Sequence, residues 1–264
     1  MAGDTKFLLW LLLLSSSSLC FGSELDIQCL KSFQQSVTDP NGVLKSSWIF
    51  DDSTSVCKFT GVQCWRPDED RVLSLRLRNL GLEGTFPQGL QDCTSMNVLD
   101  LSSNNFSGPI PPDIQRQAPY LTSLDLSYNS FSGEIPSYIL TMTYLNVLNL
   151  QHNQLSGQIP QQFALLDGLT ALNVADNLLS GPIPPSLQNF SASNFAGNQG
   201  LCGSPLEKCP ASRKRTAQIR IRLHRINDES SIGAAVGFNV GFVVALYFSR
   251  CFICSERVRA YFLY

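Results

Sequence analysis

The chain has 264 residues, of which 44% are hydrophobic and 15% charged, so it contains enough apolar material for a sizeable globular core. Residues 24–209 carry 17 acidic and 9 basic side chains, a net charge of −8. Because phosphates repel an acidic body, this balance argues against nucleic-acid binding.

The N-terminus has the pattern of a secretory signal peptide, which we assign to residues 1–23. Lys6 precedes an apolar run from Phe7 to Leu14, and serines and small residues follow. The alternative is an N-terminal anchor helix, but spanning a bilayer takes about 20 apolar residues and this run is shorter. We therefore expect cleavage near Gly22 or Ser23 and secretion of the rest.

Residues 24–71 are predicted to form an N-terminal cap. They contain a helical apolar pattern, followed by a tryptophan and a pair of cysteines. The helical positions are Ile27, Leu30, Phe33 and Val37. A cap of this kind covers the apolar end of a repeat stack.

A repeat fills residues 72–188. Five Leu-x-Leu or Leu-x-Val segments are spaced 24, 25, 24 and 24 residues apart, and they start at Leu75, Leu99, Leu124, Leu148 and Leu172. The alternation predicts short strands with leucines inside and polar residues outside. A coil this short cannot bury its own leucines, so the coils must stack. We predict an α/β solenoid of five repeats with a cap at each end.

Each coil repeats a turn after its strand. An asparagine follows the second apolar strand position by three residues in four coils, at Asn104, Asn129, Asn153 and Asn177, and Leu80 takes this place in the first coil. The asparagine amides are predicted to bond backbone groups and build a ladder between coils. A glycine and a proline follow in all five coils, where the chain bends and cannot continue as a long helix.

Residues 189–210 are predicted to form the C-terminal cap. It contains two cysteines seven residues apart, like the N-terminal cap, and secretion favours oxidation. We predict the disulfides Cys57–Cys64 and Cys202–Cys209. For Cys29 and Cys93 we favour buried free thiols over a bridge between them.

The remaining chain is predicted to contain a basic stalk (211–231), a transmembrane helix (232–248) and a short cytoplasmic tail (249–264). The span is a 17-residue apolar run broken only by Asn239. The stalk has more cations than the tail, which opposes the positive-inside rule, so a soluble secreted form stays the alternative. Cys251 and Cys254 in the tail are candidates for lipidation, and unmodified thiols are an equal alternative.

Together these motifs resemble the extracellular part of plant leucine-rich-repeat receptor kinases over residues 25–209. The resemblance is carried by the Trp and Cys pair of the first cap, the Leu-Ser-Gly-x-Ile-Pro coils and the Gly-Leu-Cys-Gly-x-Pro-Leu end cap. The sequence is most similar to the short-ectodomain, pseudokinase-type receptors that associate with co-receptor kinases and restrain immune signalling. Since only a few residues follow the predicted span, we expect no kinase domain.

The outward side chains of the strands are the candidate partner-binding residues. A solenoid of this class binds through its concave strand face. The candidates are Arg76, Arg78, Asp100, Asp125, Tyr128, Asn149, His152, Asn173 and Asp176. Two glycosylation sequons begin at Asn105 and Asn189.

We find no enzyme signature and expect no cofactor or metal site. No nucleophile occurs in a recognisable motif, and the acidic strand residues recur once per coil instead of forming a catalytic pair. The sequence therefore predicts a plasma-membrane, single-pass receptor-like protein with an extracellular N-terminus. We expect its partner to be a receptor or co-receptor kinase ectodomain. The sequence leaves open whether a peptide ligand also binds. The alternative is an apoplastic or wall-associated inhibitor of an extracellular enzyme.

Overall fold

The computed structural model describes residues 21–51, 54–66 and 69–210. Most of the predicted signal peptide and all of the predicted stalk, membrane helix and tail, with Cys251 and Cys254, lie outside these residues. Among the residues described, no helix combines the length and the apolar character needed to cross a bilayer. The membrane span at 232–248 therefore stays a prediction.

One six-stranded sheet, called here the front sheet, carries the predicted Leu-x-Leu strands. In spatial order it contains β1 (Val62–Cys64), β2 (Val72–Arg76), β4 (Val98–Asp100), β6 (Ser123–Asp125), β8 (Val147–Asn149) and β10 (Ala171–Asn173). β1 is antiparallel to β2, and the other strands are parallel. The leucines that begin the five predicted segments pair in register, so equivalent residues of successive coils form straight rows.

A second six-stranded sheet, the flank sheet, follows the front strands along the chain. Its parallel strands are β12 (Gly200–Cys202), β11 (Leu178–Pro182), β9 (Gln154–Gln158), β7 (Ser130–Glu134), β5 (Asn105–Pro109) and β3 (Glu83–Gly84). The rest of each coil returns to the front sheet through short helical turns. These are Leu90–Asp92, α3 (Ile114–Gln117), Ser137–Thr141, Gln161–Leu165 and Pro185–Leu187.

The core is built from equivalent side chains of successive coils. The inward strand residues are buried in every coil, from Leu75 and Leu77 to Leu172 and Val174. Burying a leucine side chain contributes about 1.5–3 kcal/mol. The flank sheet adds Phe106 and Phe131, whose rings stack with centroids 6.1 Å apart.

The predicted asparagine ladder is present. The side chain of Asn153 accepts a hydrogen bond from the Phe131 N–H (2.9 Å) and donates to the carbonyl oxygens of Leu126 (2.9 Å) and Leu150 (3.1 Å). Each such asparagine ties its own turn to the preceding coil. The ladder also continues into the C-terminal cap, where Asn198 accepts from the Leu179 N–H; the sequence analysis missed this position.

The N-terminal cap consists of α1 (Phe21–Ser36), α2 (Val43–Ser47), the turn Val56–Lys58 and β1. Of the predicted helical positions, Leu30 and Phe33 are buried, and Ile27 and Val37 are partly buried against the core. The cap docks on the first coil through backbone hydrogen bonds between Thr38 and Glu83, each 2.9 Å long.

Three disulfides are present in the described residues. Cys57–Cys64 and Cys202–Cys209 were both predicted. The preference for free thiols at Cys29 and Cys93 was wrong, because these two residues form a third bond with their Cα atoms 5.4 Å apart. Docking of α1 on the first coil brings the two positions together, and sequence spacing alone does not show this proximity.

Candidate partner-binding face

Five of the predicted partner-binding residues form one row across the front sheet. They are the last residue of each parallel strand and pair in register, in the order Arg76, Asp100, Asp125, Asn149 and Asn173. The leucine before each of them is buried, so period-two geometry turns this row away from the core.

Four residues of this row also have a structural role. Each accepts a hydrogen bond from the backbone N–H two residues further on: Asp100 from Ser102, Asp125 from Ser127, Asn149 from Gln151 and Asn173 from Ala175. These bonds hold the chain as it leaves the strand. A partner that contacts this row must therefore use groups that already serve the fold.

The two arginines of the first coil have no such role. Arg76 and Arg78 are both exposed, and neither side chain forms a hydrogen bond or ion pair with the residues that the structure describes. Arginine is enriched in protein interfaces, where its planar group forms several hydrogen bonds at once. They are the candidates of the strand face that are free to bind a partner.

The other three candidates lie together and are called here the histidine edge. Tyr128, His152 and Asp176 each follow the end of a front strand by three residues, in successive coils. The Tyr128 and His152 rings stack with centroids 4.3 Å apart, and His152 Nε2 lies 3.2 Å from Asp176 Oδ2. The structure thus brings together residues that the sequence analysis treated one by one.

A pair of exposed tyrosines lies at the opposite end of the same strands, and the sequence analysis missed it. Tyr120 precedes β6 by three residues, Tyr144 precedes β8 by three residues, and their ring centroids are 6.1 Å apart. The two residues are 51% and 56% exposed. A tyrosine recurring after 24 residues was the available signal. We call these residues the tyrosine pair.

The N-terminal cap contains a buried carboxyl group that the sequence analysis also missed. Asp26 of α1 is buried, and neither of its oxygens has a hydrogen-bond partner among the described residues. Burial raises the pKa of Asp26 to about 7, because the nearby Val72 N–H and the Arg71 charge offset only part of the desolvation. This group belongs to the cap and lies beside Arg71 and Val72, where β2 begins.

The remaining predicted sites are exposed single residues. Asn105 on β5 and Asn189 after the Pro185–Leu187 turn are both exposed, and their glycosylation stays a prediction. Within the described ranges, no three His, Cys, Asp or Glu side chains are grouped as metal ligands.

Comparison with known proteins shows the same architecture. Residues 23–65 match the family "Leucine rich repeat N-terminal domain", and residues 95–117 and 119–179 match leucine-rich-repeat families. The chain is 51% identical over 245 residues to "Probable inactive receptor kinase At1g27190" of Arabidopsis thaliana, covering 91% of this chain and 39% of that protein. The chain spans a fifth to two fifths of the length of such curated relatives.

Two solved structures from Arabidopsis thaliana resemble it closely. The BIR2 ectodomain is 48% identical with a TM-score of 0.68, and the match covers 70% of this chain and 98% of that one. A chain of the BIR3–SERK2 complex is 46% identical with the same TM-score, and the match covers 70% of this chain and 100% of that one. The chain belongs to the plant leucine-rich-repeat receptor-like proteins, and its relatives include proteins named as inactive receptor kinases, BIR2 among them.

Proposed function

We propose that this protein is a non-catalytic receptor-like protein whose solenoid binds the ectodomain of a receptor or co-receptor kinase and so modulates signalling. The observation that carries the proposal is the similarity, over the full length of that chain, to a chain of the BIR3–SERK2 complex. Two relatives, At1g27190 and BIR2, are named as inactive kinases, which supports a non-catalytic role for this protein.

The tyrosine pair is the proposed anchor of this contact. Tyrosine offers a large contact area with little side-chain entropy to lose, and such residues dominate interface energies. Tyr120 and Tyr144 are half exposed, adjacent and beside the strand face that carries Arg76 and Arg78. A partner that covers the strand face from the first coil to the fourth contacts the arginines at one end of its footprint and the tyrosine pair at the other.

The test is a binding measurement with the Arabidopsis SERK2 ectodomain as probe. The full chain, purified in detergent, is compared with Tyr144→Ala and with Tyr138→Ala. Tyr138 is a matched control because it is 59% exposed but lies in the Ser137–Thr141 turn, six residues before Tyr144. We expect Tyr144→Ala to weaken binding by about tenfold or more and Tyr138→Ala to leave it within twofold. Absence of SERK2 binding to the unmodified chain would refute the proposal for this partner class.

Anchoring in the plasma membrane through residues 232–248 is part of the proposal. A C-terminally tagged full chain expressed in plant cells should remain with membranes after a carbonate wash. Free protein in the apoplast that recovers no kinase after crosslinking would instead favour the inhibitor of an extracellular enzyme.

A further inference from the structure

A concavity between successive coils contains none of the residues of the proposed kinase-binding face, and we call it the flank concavity. It lies where the flank strands β7 and β9 pass into the helical turns of the third and fourth coils, and its volume is about 640 Å³. Small-molecule sites usually enclose about 300–1,000 Å³. Its lining includes the apolar rings of Pro136 and Pro160 and polar groups of Glu134, Ser137, Tyr138 and Gln158.

Tyr138 is the aromatic residue of this concavity, and the repeat does not require it. The equivalent positions of the other four coils are Gly89, Asp113, Gln162 and Ser186. Tyr138 is 59% exposed, and its ring contacts no other aromatic ring among the residues that the structure describes. The fold therefore gains little from this ring, and its flat apolar surface is available to a ligand.

Glu134 and Gln158 contribute unpaired polar groups to the same concavity. They are the last residues of β7 and β9, and each packs over the glycine of the next coil. A Cβ atom at Gly157 would lie 2.9 Å from Glu134 Cγ, and one at Gly181 would lie 3.2 Å from Gln158 Cδ. Neither the carboxylate nor the amide has a hydrogen-bond or ion-pair partner in the described part of the chain. Packing thus positions both side chains and leaves their end groups free to bind.

This combination of groups matches the chemistry of a neutral sugar. A pyranose ring has an apolar C–H face that packs on an aromatic ring, and its hydroxyl groups both donate and accept hydrogen bonds. The Tyr138 ring fits that face, and the Glu134 carboxylate and Gln158 amide fit the hydroxyl groups. No lysine or arginine is among the described residues that line the concavity, so a uronate or a phosphate would meet the Glu134 carboxylate without a compensating cation.

We propose that the flank concavity binds a neutral oligosaccharide, which packs on the Tyr138 ring and forms hydrogen bonds with Glu134 and Gln158. This is a second binding activity, separate from the proposed kinase contact, because Tyr120 and Tyr144 do not line the concavity. A proline-rich peptide would also pack on an aromatic ring. Proline has no N–H group, however, so such a peptide would leave the Glu134 carboxylate unpaired.

The test titrates the full chain with tetrasaccharides in a detergent that has no sugar head group. Cellotetraose, mannotetraose and xylotetraose are the neutral probes, and tetragalacturonate is the matched anionic probe. By isothermal titration calorimetry we expect at least one neutral probe to bind with a Kd of about 0.1–1 mM, and tetragalacturonate to bind about tenfold more weakly or less.

Variants locate the binding site. Tyr138→Ala should weaken binding of the neutral probe about tenfold, whereas Tyr138→Trp keeps an aromatic ring and should stay within about threefold. Glu134→Ala removes an acceptor of hydroxyl groups and should weaken binding about fivefold. Tyr144→Ala changes a similarly exposed tyrosine outside the concavity and should bind the sugar as the unmodified chain does. Urea unfolding checks that each variant is folded.

The outcomes separate the sugar site from the kinase contact. No binding of any neutral probe, tighter binding of tetragalacturonate, or an unchanged affinity in Tyr138→Ala overturns the sugar site. Binding of a proline decapeptide without binding of the sugars overturns it as well and assigns the concavity to a peptide. SERK2 binding by the same proteins is an independent readout, which Tyr144→Ala should lower and Tyr138→Ala should leave unchanged.

Discussion

Cys29 of helix α1 is bonded to Cys93 of the first coil, and this disulfide joins two positions 64 residues apart. The cap helix is therefore covalently fastened to the stack that it covers. The other two disulfides each close a loop of only seven residues within one cap. The Cys29–Cys93 bond is thus the one described disulfide that ties a cap to a coil.

The first prediction follows from this difference in loop length. Replacing Cys29 and Cys93 by alanine should lower the free energy of unfolding by about 4 kcal/mol, because a long loop regains its entropy in the unfolded chain. The matched pair Cys57→Ala and Cys64→Ala should cost about 2 kcal/mol. Urea unfolding of both double variants measures the two losses in the free energy of unfolding. Equal losses would contradict the dependence on loop length.

The second prediction concerns Asp26. Its folded pKa of about 7 lies above the ordinary value of 3.8, so the folded state favours the protonated carboxyl. The contribution of Asp26 to the free energy of unfolding is therefore fully present below about pH 4 and is lost as the pH rises toward 7. The loss between pH 4.5 and 7 should be about 3 kcal/mol at most.

Asp26→Asn should remove this part of the pH dependence and be the more stable protein at pH 7. Glu24→Gln changes an exposed carboxylate of the same helix and is the control. Urea unfolding at several pH values gives the slope of the free energy of unfolding against pH for each protein. An Asp26→Asn variant that keeps the wild-type slope would show that other groups cause it.

The third prediction tests the asparagine ladder. Asn153→Ala leaves the Phe131 N–H and the Leu126 and Leu150 carbonyl oxygens without their side-chain partner in a buried turn. We expect a loss of about 2–4 kcal/mol in the free energy of unfolding. Asn146→Ala removes one exposed hydrogen bond to the Gly168 carbonyl and should cost about 1 kcal/mol or less. Similar losses in thermal or urea unfolding would argue against a ladder.

The fourth prediction concerns glycosylation. Both sequon asparagines are exposed, so the full chain expressed in plant cells should carry glycans at Asn105 and Asn189. Asn105→Gln and Asn189→Gln should each lower the mass of the protein by one N-glycan. The mass of the double variant should match that of the enzymatically deglycosylated protein. Stability should change by no more than about 0.5 kcal/mol, since both are surface changes. A wild-type mass equal to that of the double variant would exclude modification.

The repeat made most of the fold predictable, because each position has one role that recurs in every coil. The leucines from Leu75 to Leu172 and the ladder asparagines were identified in this way, and they occupy the expected places. Asn198 was missed because the ladder continues where the Leu-x-Leu repeat has stopped. The Cys29–Cys93 bond was missed because it depends on how the cap docks.

The candidate site was less predictable, since alternation shows which side chains point outward but not what they contact. Asp100 and Asp125 were identified as outward residues, yet their bonds to Ser102 and Ser127 depend on the turn after the strand. Stacking of Tyr128 on His152 depends on the register of adjacent coils. The tyrosine pair lies in the return segment, where no strand pattern drew attention to it.

The asparagine ladder has a consequence for how proteins of this kind change length. Each ladder asparagine bonds only its own turn and the coil before it, so the bonding pattern is the same wherever a coil stands in the stack. Loss of a complete coil, such as residues 124–147, leaves every surviving asparagine with an equivalent neighbour. The distance between the two caps is therefore free to vary by gene duplication or deletion, in steps of about 4.8 Å, one strand spacing at a time.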